Sequence, residues 1–282
     1  MRSFSVVIPA HNEARVLGDC LQSVLGQEGI DKLEIVVVPN GCTDDTAEVA
    51  RNFSDQVKVV VQERGSKISA LNAGDAACTL FPPAHIDADI ELTSQCLMRC
   101  HETLRGGKLA VAPRAEFETD ESGFTIQSFY EAWKRTPYVS DGHMIGAGFY
   151  AMSAEGRSRF KEFPPVISDD GFVHQLFRRD ERATVEGCSF KIHAPKSLKG
   201  LIAIKTRERL GALELAAKGY TPLEEALEGT TCHSMFRDLL RHPISSMIYT
   251  LLRTLSRARA AGQARKKLFE LWERDESARE AR

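Results

Sequence analysis

The sequence lacks the marks of several classes of protein. Its seven cysteines are scattered and include no CxxC pair, so neither a disulfide scaffold nor a zinc site is indicated. No apolar run approaches the roughly 20 residues of a membrane-spanning helix. The GxGxxG and P-loop motifs are absent, which argues against a dinucleotide site and an NTPase site. We expect the scattered cysteines to be reduced thiols, and the opening segment does not have the long apolar core of a signal peptide. Both features predict a cytoplasmic protein.

The composition is that of a chain that buries a sizeable core. Hydrophobic residues make up 43% and charged residues 27% of 282 residues, enough for one domain or one domain with an appendage. The net charge of −2 gives no indication of a nucleic-acid partner.

The apolar pattern of the first half predicts an α/β fold. Residues 4–8 and 33–38 are short β-branched runs, typical of strands covered on both faces, and residues 57–62 form a third candidate. Between the first two runs, apolar residues recur at the spacing of one helix face. Residues 93–105 predict a later helix. This alternation predicts a Rossmann-like, mostly parallel central sheet flanked by helices.

The C-terminal section differs in charge from the rest of the chain. Residues 234–282 carry 11 Lys and Arg against 6 Asp and Glu, whereas residues 1–233 carry 26 against 33. One helical stripe in it is apolar: Ile244, Met247, Ile248, Leu251, Leu252 and Leu255. A basic amphipathic helix of this kind can lie on an anionic membrane surface. A helix packed on the protein's own core fits the same pattern.

Two polar turns follow the predicted strands. SVVIPAHNE (residues 5–13) turns through Pro9 into polar residues, and VVVPNGCTDDT (residues 36–46) turns at Asn40 and Gly41 before a helix. In open parallel sheets ligands bind at the carboxyl ends of strands, so both turns are candidate ligand contacts. Ordinary turn and capping chemistry would account for either one alone.

Two further segments carry charge. KISALNAG (residues 67–74) puts Lys67 at a helix start, where a cation opposes the helix dipole, so we expect it to meet an anion. In DAD, alternate residues of a strand face the same side, so Asp87 and Asp89 can enter one site. Two carboxylates beside a diphosphate are suitable ligands for Mg²⁺ or Mn²⁺.

Taken together, VVIPAHNE, VVVPNGCTDDT, KISALNAG and DAD resemble the motifs of family 2 glycosyltransferases with the GT-A fold. The likeness continues in GAGFYA (146–151), which is similar to an acceptor-side strand, and in SDD (168–170), which stands where the family has an acidic pair. KTRERL (205–210) is similar to the family's basic QxxRW-like segment. The order and spacing match over residues 4–215.

The resemblance implies an enzyme that moves a sugar from a nucleotide-diphosphate sugar to a hydroxyl group of a glycan or a lipid-linked acceptor. It places these residues around the donor: Pro9, His11, Glu13, Asn40, Lys67, Asp87, Arg207 and Arg209. By the same resemblance Asp87 and Asp89 hold the Mg²⁺ or Mn²⁺ ion, and His193 is a candidate third ligand. A structural hydrogen bond is the alternative for His193.

The acidic pair is the implied catalytic centre. Asp170, with Asp169 beside it, would be the general base, and a neighbouring carboxylate is expected to raise one pKa of the pair. Direct displacement would invert the anomeric configuration. A retaining transferase and a non-catalytic sugar-nucleotide-binding partner are the alternatives. His143, Trp133 and Tyr138 are further candidates for sugar contacts; the alternatives are a solvated histidine and aromatic rings packed in the core.

Two departures from the family pattern limit the resemblance. Pro39 and Asn40 replace the usual Asp-Asp turn, which leaves the nucleotide base open, and Leu210 replaces the Trp of the basic segment. The second departure and the missing membrane spans argue against a processive synthase. We therefore predict a GT-A catalytic domain over residues 1–233 and a basic amphipathic helical tail over residues 234–282, in a cytoplasmic protein that is peripheral to the membrane or free of it.

Overall fold

The computed structural model describes residues 2–80, 82–140, 147–220 and 238–266. The strands are β1 (Ser3–Ala10), β2 (Lys32–Pro39), β3 (Val57–Val59), β4 (Ala84–Ile86), β5 (Ile90–Leu92), β6 (Ala110–Glu118), β7 (Phe149–Met152) and β8 (Arg182–His193). The helices are α1 (Leu17–Leu25), α2 (Thr46–Phe53), α3 (Lys67–Ala77), α4 (Cys96–Arg105), α5 (Phe124–Lys134), α6 (Pro137–Ser140), α7 (Ala154–Arg157), α8 (Asp169–Leu176), α9 (Leu198–Ala217) and α10 (Pro243–Arg265).

The strands form one sheet in the order β3-β2-β1-β4-β7-β6-β8-β5. β3, β2, β1 and β4 run parallel, β7 runs antiparallel to β4 and β6, and β6 pairs in parallel with β8. The predicted α/β architecture is therefore confirmed, and the antiparallel insertion of β7 makes the second half of the sheet mixed.

Burial explains why the first strands and helices form where they do. β1 and β2 are β-branched and buried over most of their length, as strands covered on both faces are. In α1, Leu17, Leu21 and Val24 share the buried face, which matches the predicted spacing. These strands end together, which brings their polar turns to one edge of the sheet.

Several predicted boundaries differ from the structure. β3 ends at Val59, because the chain leaves the ladder except for an isolated bridge between Asn40 and Gln62. α4 begins at Cys96 rather than at residue 93. The basic segment 205–210 lies inside the long helix α9, whose serine N-cap is Ser197.

The C-terminal helix α10 packs on α5 and α9, but not by its most apolar face. Of the predicted stripe, Leu252 is buried and Ile248 half-buried, whereas Ile244, Met247, Leu251 and Leu255 are exposed. The alternative of a stripe packed on the protein's own core therefore holds only for Leu252 and Ile248 among its six members. No helix in the described ranges is long and apolar enough to cross a membrane. The predicted domain boundary at residues 233 and 234 lies outside the described residues.

Candidate active site

A cleft of about 1490 Å³ opens at the carboxyl ends of β1, β2 and β4. Its lining includes most of the residues predicted for the site: Pro9, His11, Glu13, Asn40, Lys67, Asp87, Asp89, Asp169, Asp170, His193 and Arg207. The volume exceeds that of an ordinary small-ligand pocket and leaves room for two substrates. Seven separate segments of the chain thus meet at one edge of the sheet.

The turn after β2 depends on a glycine. Gly41 has φ +59°, and a Cβ at this position would overlap the backbone nitrogen of Gly65. Its N–H donates to the carbonyl of Gln62 at 2.8 Å, which ties the turn to the loop before α3. The predicted turn at Asn40 and Gly41 is confirmed, and it brings the two loops into contact at the cleft.

Asn40 is part of the framework beneath this turn. Its side-chain nitrogen donates to the carbonyls of Ala10 and Val38, at 2.9 and 3.3 Å, and its Oδ1 accepts from the Ser66 N–H at 2.9 Å. The buried amide therefore joins β1, β2 and the N-cap of α3. Because protein groups already satisfy it, Asn40 shapes the floor of the cleft. His11 lies beside it, with Nδ1 2.6 Å from the Asn40 carbonyl oxygen.

Lys67 meets anions, as predicted from its place at a helix start, and the anions are carboxylates of the protein itself. Its Nζ lies 2.7 Å from Asp87 Oδ1 and 3.0 Å from Asp169 Oδ1. Burial lowers the pKa of Lys67, but these carboxylates outweigh it and the pKa is raised. The lysine is therefore charged, and it links the turn after β4 to the start of α8.

The DAD carboxylates lie in a turn rather than on a strand, which corrects the prediction. β4 ends at Ile86 and β5 begins at Ile90, and the Asp87 N–H donates to the Gly148 carbonyl at 2.7 Å. A tight turn replaces strand alternation as the reason that Asp87 and Asp89 reach the same cleft. The neighbouring Gly148 has φ +106°, and a Cβ at this position would lie 3.1 Å from Ile90 Cγ2 and 3.5 Å from Asp87 Cβ.

The charges around this turn are suitable for a cation that is bound partly by the protein and partly by a substrate. Burial raises the pKa of Asp87, Lys67 opposes this, and the charges of Asp169 and Asp89 raise the pKa further. Among the described residues, no three His, Cys, Asp or Glu side chains are grouped closely enough to hold a metal ion. Mg²⁺ commonly takes one or two carboxylates and completes its shell with water and substrate phosphates, and Asp87 and Asp89 fit that mode.

His193 is held by other acids. Its Nε2 lies 3.5 Å from Glu91 Oε1, and its Nδ1 lies 3.3 Å from Glu118 Oε2, across the neighbouring strands β5 and β6. The structure brings His193 to the cleft but not into a metal-binding group with the DAD turn. The cross-strand contacts favour the structural hydrogen-bonding role that the sequence left open.

The acidic pair at the start of α8 divides into two environments. Asp169 is buried and accepts from the Tyr150 hydroxyl at 3.0 Å, besides its contact with Lys67. Asp170 lies at the cleft surface, and its Oδ1 accepts from the Ser168 hydroxyl at 2.6 Å and from the Gly171 N–H at 2.7 Å. Ser168 is the N-cap of α8, so the first turn of this helix also fixes the conformation of Ser168.

The expected rise in the pKa of the general base is not found for Asp170. Burial acts to raise its pKa, but the charge of Lys67 and the hydrogen bonds from Ser168 and Gly171 outweigh it, so the pKa is lowered. A third donor is the Ala147 N–H, 3.4 Å from Oδ2. The pKa that is raised is that of Asp87, which contacts the same Lys67 ammonium group from the turn after β4.

A buried chain of contacts supports Asp169 from below. Arg157 contacts Asp75 at 2.9 Å, the other Asp75 oxygen lies 2.8 Å from His85 Nε2, and the His85 ring stacks on Tyr150 at 4.9 Å. The Tyr150 hydroxyl then reaches Asp169. Sequence reasoning missed Asp75, His85 and Arg157, because none belongs to a local motif. It included Tyr150 in GAGFYA but not its contact with Asp169, and only the pairing of β4 with β7 brings His85 beside Tyr150.

The far end of the cleft is aromatic. Trp133 of α5 packs on Phe117 with ring centroids 4.7 Å apart, and the Lys205 Nζ lies 4.1 Å from the Trp133 ring centroid. Lys205 also contacts Glu208 at 2.8 Å. Trp133 thus combines core packing with a place in the cleft lining. An apolar face beside charged groups suits a sugar ring.

One predicted donor residue, Arg209, is not among the described residues that line this cleft. It is exposed on α9. Burial and the charges of Arg253 and Arg209 lower the pKa of Arg257 on α10, so Arg209 faces that helix. His143 and the side chain of Tyr138 lie outside the described part of the chain.

Comparison with known proteins places the fold and the motifs in a family. The family model described as glycosyl transferase family 2 matches residues 5–179. The glycosyltransferase AglE of Haloferax volcanii is 33% identical over 135 residues, which is 46% of this chain and 44% of that protein. A 4,4'-diaponeurosporenoate glycosyltransferase of Staphylococcus aureus is 35% identical over 200 residues, 66% of this chain and 49% of that protein. The chain thus spans less than half the length of either relative.

Solved structures agree on the fold. A mannosyltransferase of Pyrobaculum calidifontis, in complex with GDP-Man and Mn²⁺, matches with a TM-score of 0.61 at 21% identity. The match covers 94% of this chain and 75% of the mannosyltransferase chain. S. aureus TarS with UDP-GlcNAc has a TM-score of 0.58 at 16% identity, with coverages of 94% and 76%. At these identities the likeness concerns the fold, which is of the GT-A type.

Proposed function

Because the chain belongs to glycosyl transferase family 2, we propose that it transfers a sugar from a nucleotide-diphosphate sugar to a hydroxyl group of a glycan or lipid-linked acceptor. The observation that carries this proposal is the assembly of Lys67, the DAD turn and the acidic pair around one cleft with room for two substrates. Similar folds that bind GDP-Man and UDP-GlcNAc support a donor of this class.

The donor occupies the part of the cleft between the polar turns and α3. Pro9, His11 and Glu13 line the nucleotide side, and Asn40 holds the floor beneath it. Lys67 supplies positive charge beside the diphosphate, and Arg207 adds a second cation to the lining. Charge of this sign, fixed before the reaction, stabilises a leaving diphosphate without reorganisation.

The reaction is metal-dependent in this proposal. Asp87 and Asp89 would hold Mg²⁺ or Mn²⁺, which when bound neutralises the charge that develops on the leaving nucleoside diphosphate. Burial raises the pKa of Asp87 and the charges of Asp169 and Asp89 raise it further, and these negative charges are what the protein would contribute to cation affinity.

Asp170 is the general base. Its lowered pKa keeps it ionised at neutral pH, and its carboxylate faces the cleft, where it takes the proton of the acceptor hydroxyl as the new glycosidic bond forms. Asp169 is the positioning partner, since it is buried and held by Tyr150 and Lys67. Attack from the face opposite the leaving group inverts the anomeric configuration, in a non-processive transfer.

The acceptor enters over the aromatic end of the cleft, formed by Phe117, Tyr130 and Trp133. We place the reaction on the cytoplasmic side of a membrane, with an anionic membrane surface rather than nucleic acid as the large partner. The basic C-terminal section supports this location.

Thermal unfolding in a panel of nucleotide sugars, with and without Mn²⁺, tests the donor proposal. One class of donor should raise the unfolding temperature, more with Mn²⁺, and Asp89→Asn should abolish the Mn²⁺ contribution. Asp180→Asn, at an exposed site, is the matched control. No stabilisation by any nucleotide sugar would contradict the proposal, whereas stabilisation without turnover would favour the non-catalytic binding partner.

A further inference from the structure

The helix α10 is attached to the protein by a narrow face of mostly small residues. The buried positions are Ser245, Ser246, Tyr249, Leu252, Ser256 and Ala260. Arg135, the C-cap of α5, donates to the Ser245 hydroxyl at 2.9 Å and to Asp238 at 2.6 Å, and the Tyr249 ring lies 5.2 Å from Phe129. These contacts fix the rotation of α10 about its own axis, so its outer face is determined.

That outer face is apolar. Ile244, Met247, Leu251 and Leu255 are 61%, 65%, 60% and 48% exposed, and they recur at the spacing of a single stripe. Leu240, just before the helix, is 69% exposed. We call these five residues the outer stripe. Soluble proteins rarely leave so many large apolar side chains together in water, and such patches mark interaction surfaces.

The charge of α10 indicates what the outer stripe meets. The helix carries four arginines and no Asp or Glu: Arg253, Arg257, Arg259 and Arg265. At 3.6 residues per turn, Arg257 and Arg259 lie on opposite flanks of the outer stripe. Burial and the nearby charges of Arg253 and Arg209 lower the pKa of Arg257. An apolar stripe between cationic flanks is complementary to a surface with an apolar interior and anionic headgroups.

We propose that the outer stripe of α10 docks on an anionic lipid bilayer, with the helix parallel to the membrane plane. Apolar side chains enter the boundary of the acyl chains while the arginines remain at the headgroups. A second copy of the chain is less complementary to the outer stripe. If two outer stripes packed face to face, the arginines of the two copies would lie close together and repel each other. This inference rests on the proposed function in one respect: the purpose of the docking is to reach a lipid-linked acceptor.

The docking helix and the cleft share their supports. α10 packs on α5 and α9, and these helices also provide Trp133 and Lys205 at the aromatic end of the cleft. A membrane-bound α10 therefore holds the acceptor end of the cleft at a fixed distance from the bilayer. On the proposed function, this arrangement favours a lipid-linked acceptor over a free glycan.

Flotation with vesicles tests the docking independently of catalysis. The chain should float with vesicles of phosphatidylcholine and phosphatidylglycerol, and much less with phosphatidylcholine alone. The double variant M247E/L251E should bind at least about tenfold more weakly, and Arg257→Gln should weaken binding about fivefold. Val61→Glu, which places one glutamate on an exposed apolar residue just after the edge strand β3, should bind as the unchanged chain does.

Donor hydrolysis and molecular mass, measured on the same samples, separate the outcomes. Normal hydrolysis by M247E/L251E with loss of flotation would support the docking. Absence of flotation by the unchanged chain would overturn the docking and the proposed membrane partner, and it would leave the proposed sugar transfer standing. A dimer of the unchanged chain that M247E/L251E converts to a monomer, without vesicle binding, would overturn it in favour of self-association.

Discussion

The ammonium group of Lys67 lies 3.0 Å from the carboxylate of Asp169, and this contact joins the start of α3 to the start of α8. The same ammonium group holds Asp87 at 2.7 Å. One cation thereby connects the turn proposed to hold the metal ion with the pair that contains the proposed base. The energetics of the site depend on this connection, and the first two predictions follow from it.

Removal of the lysine charge should move the pH dependence of activity. In Lys67→Met, Asp87 and Asp170 lose a positive neighbour, so the pKa of each should rise. Both groups work as carboxylates, and the acid limb of the kcat/KM profile should therefore shift to higher pH. At neutral pH we expect a loss of about tenfold or more. Lys161→Met, at an exposed lysine, is the control, and an unmoved acid limb would contradict the role of Lys67.

The two members of the acidic pair should respond differently to substitution. Asp170→Asn should lower turnover by about 10²-fold or more, the usual contribution of a general base, with little change in donor binding. Asp169→Asn removes the ion pair with Lys67, so its loss should include weaker binding of donor and cation. Rate and binding measurements on both variants separate these effects. Near-normal turnover by Asp170→Asn would remove it from the base role and favour a retaining reaction.

The buried contacts beneath the site should contribute measurably to the free energy of unfolding. Asp75→Ala leaves Arg157 buried without its carboxylate, and breaking a buried pair in this way costs about 3–5 kcal/mol. Asp180→Ala removes a pair that is mostly in water and should change the free energy of unfolding by less than about 1 kcal/mol. Urea denaturation measures both. Equal effects of the two substitutions would show that the buried chain does not stabilise the fold.

The turn at Gly41 offers a test with a close internal control. Gly41 and Gly107 both have positive φ, but a Cβ at Gly107 meets no atom within 4 Å, whereas one at Gly41 overlaps Gly65. Gly107→Ala should therefore cost about 1–2 kcal/mol from backbone strain alone. Gly41→Ala should cost about 1–3 kcal/mol more and should weaken donor binding, because its turn borders the cleft. Matching losses in unfolding experiments would rule out the steric contact.

Local pattern sufficed for some parts of the fold and the site. β1, α1 and β2 follow from apolar spacing because their burial depends on the immediate sequence, and the polar turns follow from the ends of those strands. The positions of Lys67 and Asp170 in the cleft agree with the motifs.

Other features depend on pairings that no local pattern contains. Tyr150 supports Asp169 only because β7 enters the sheet beside β4, and Arg157 reaches Asp75 from the helix that follows. Burial acts to raise the pKa of Asp170, but the charge of Lys67 and the hydrogen bond from Ser168 help to outweigh it, so adjacency alone predicted the wrong direction. For α10, the spacing identified the apolar face but not the face that is buried, because serine and alanine pack more closely on α5 and α9.

Release of nucleoside diphosphate from a nucleotide sugar, followed with the anomeric configuration of the sugar product, tests the central claim most directly. We predict release from one class of donor, dependent on Mg²⁺ or Mn²⁺, with inverted configuration and loss of activity in Asp170→Asn. No release from any nucleotide sugar by the folded chain with divalent cation present would contradict the account.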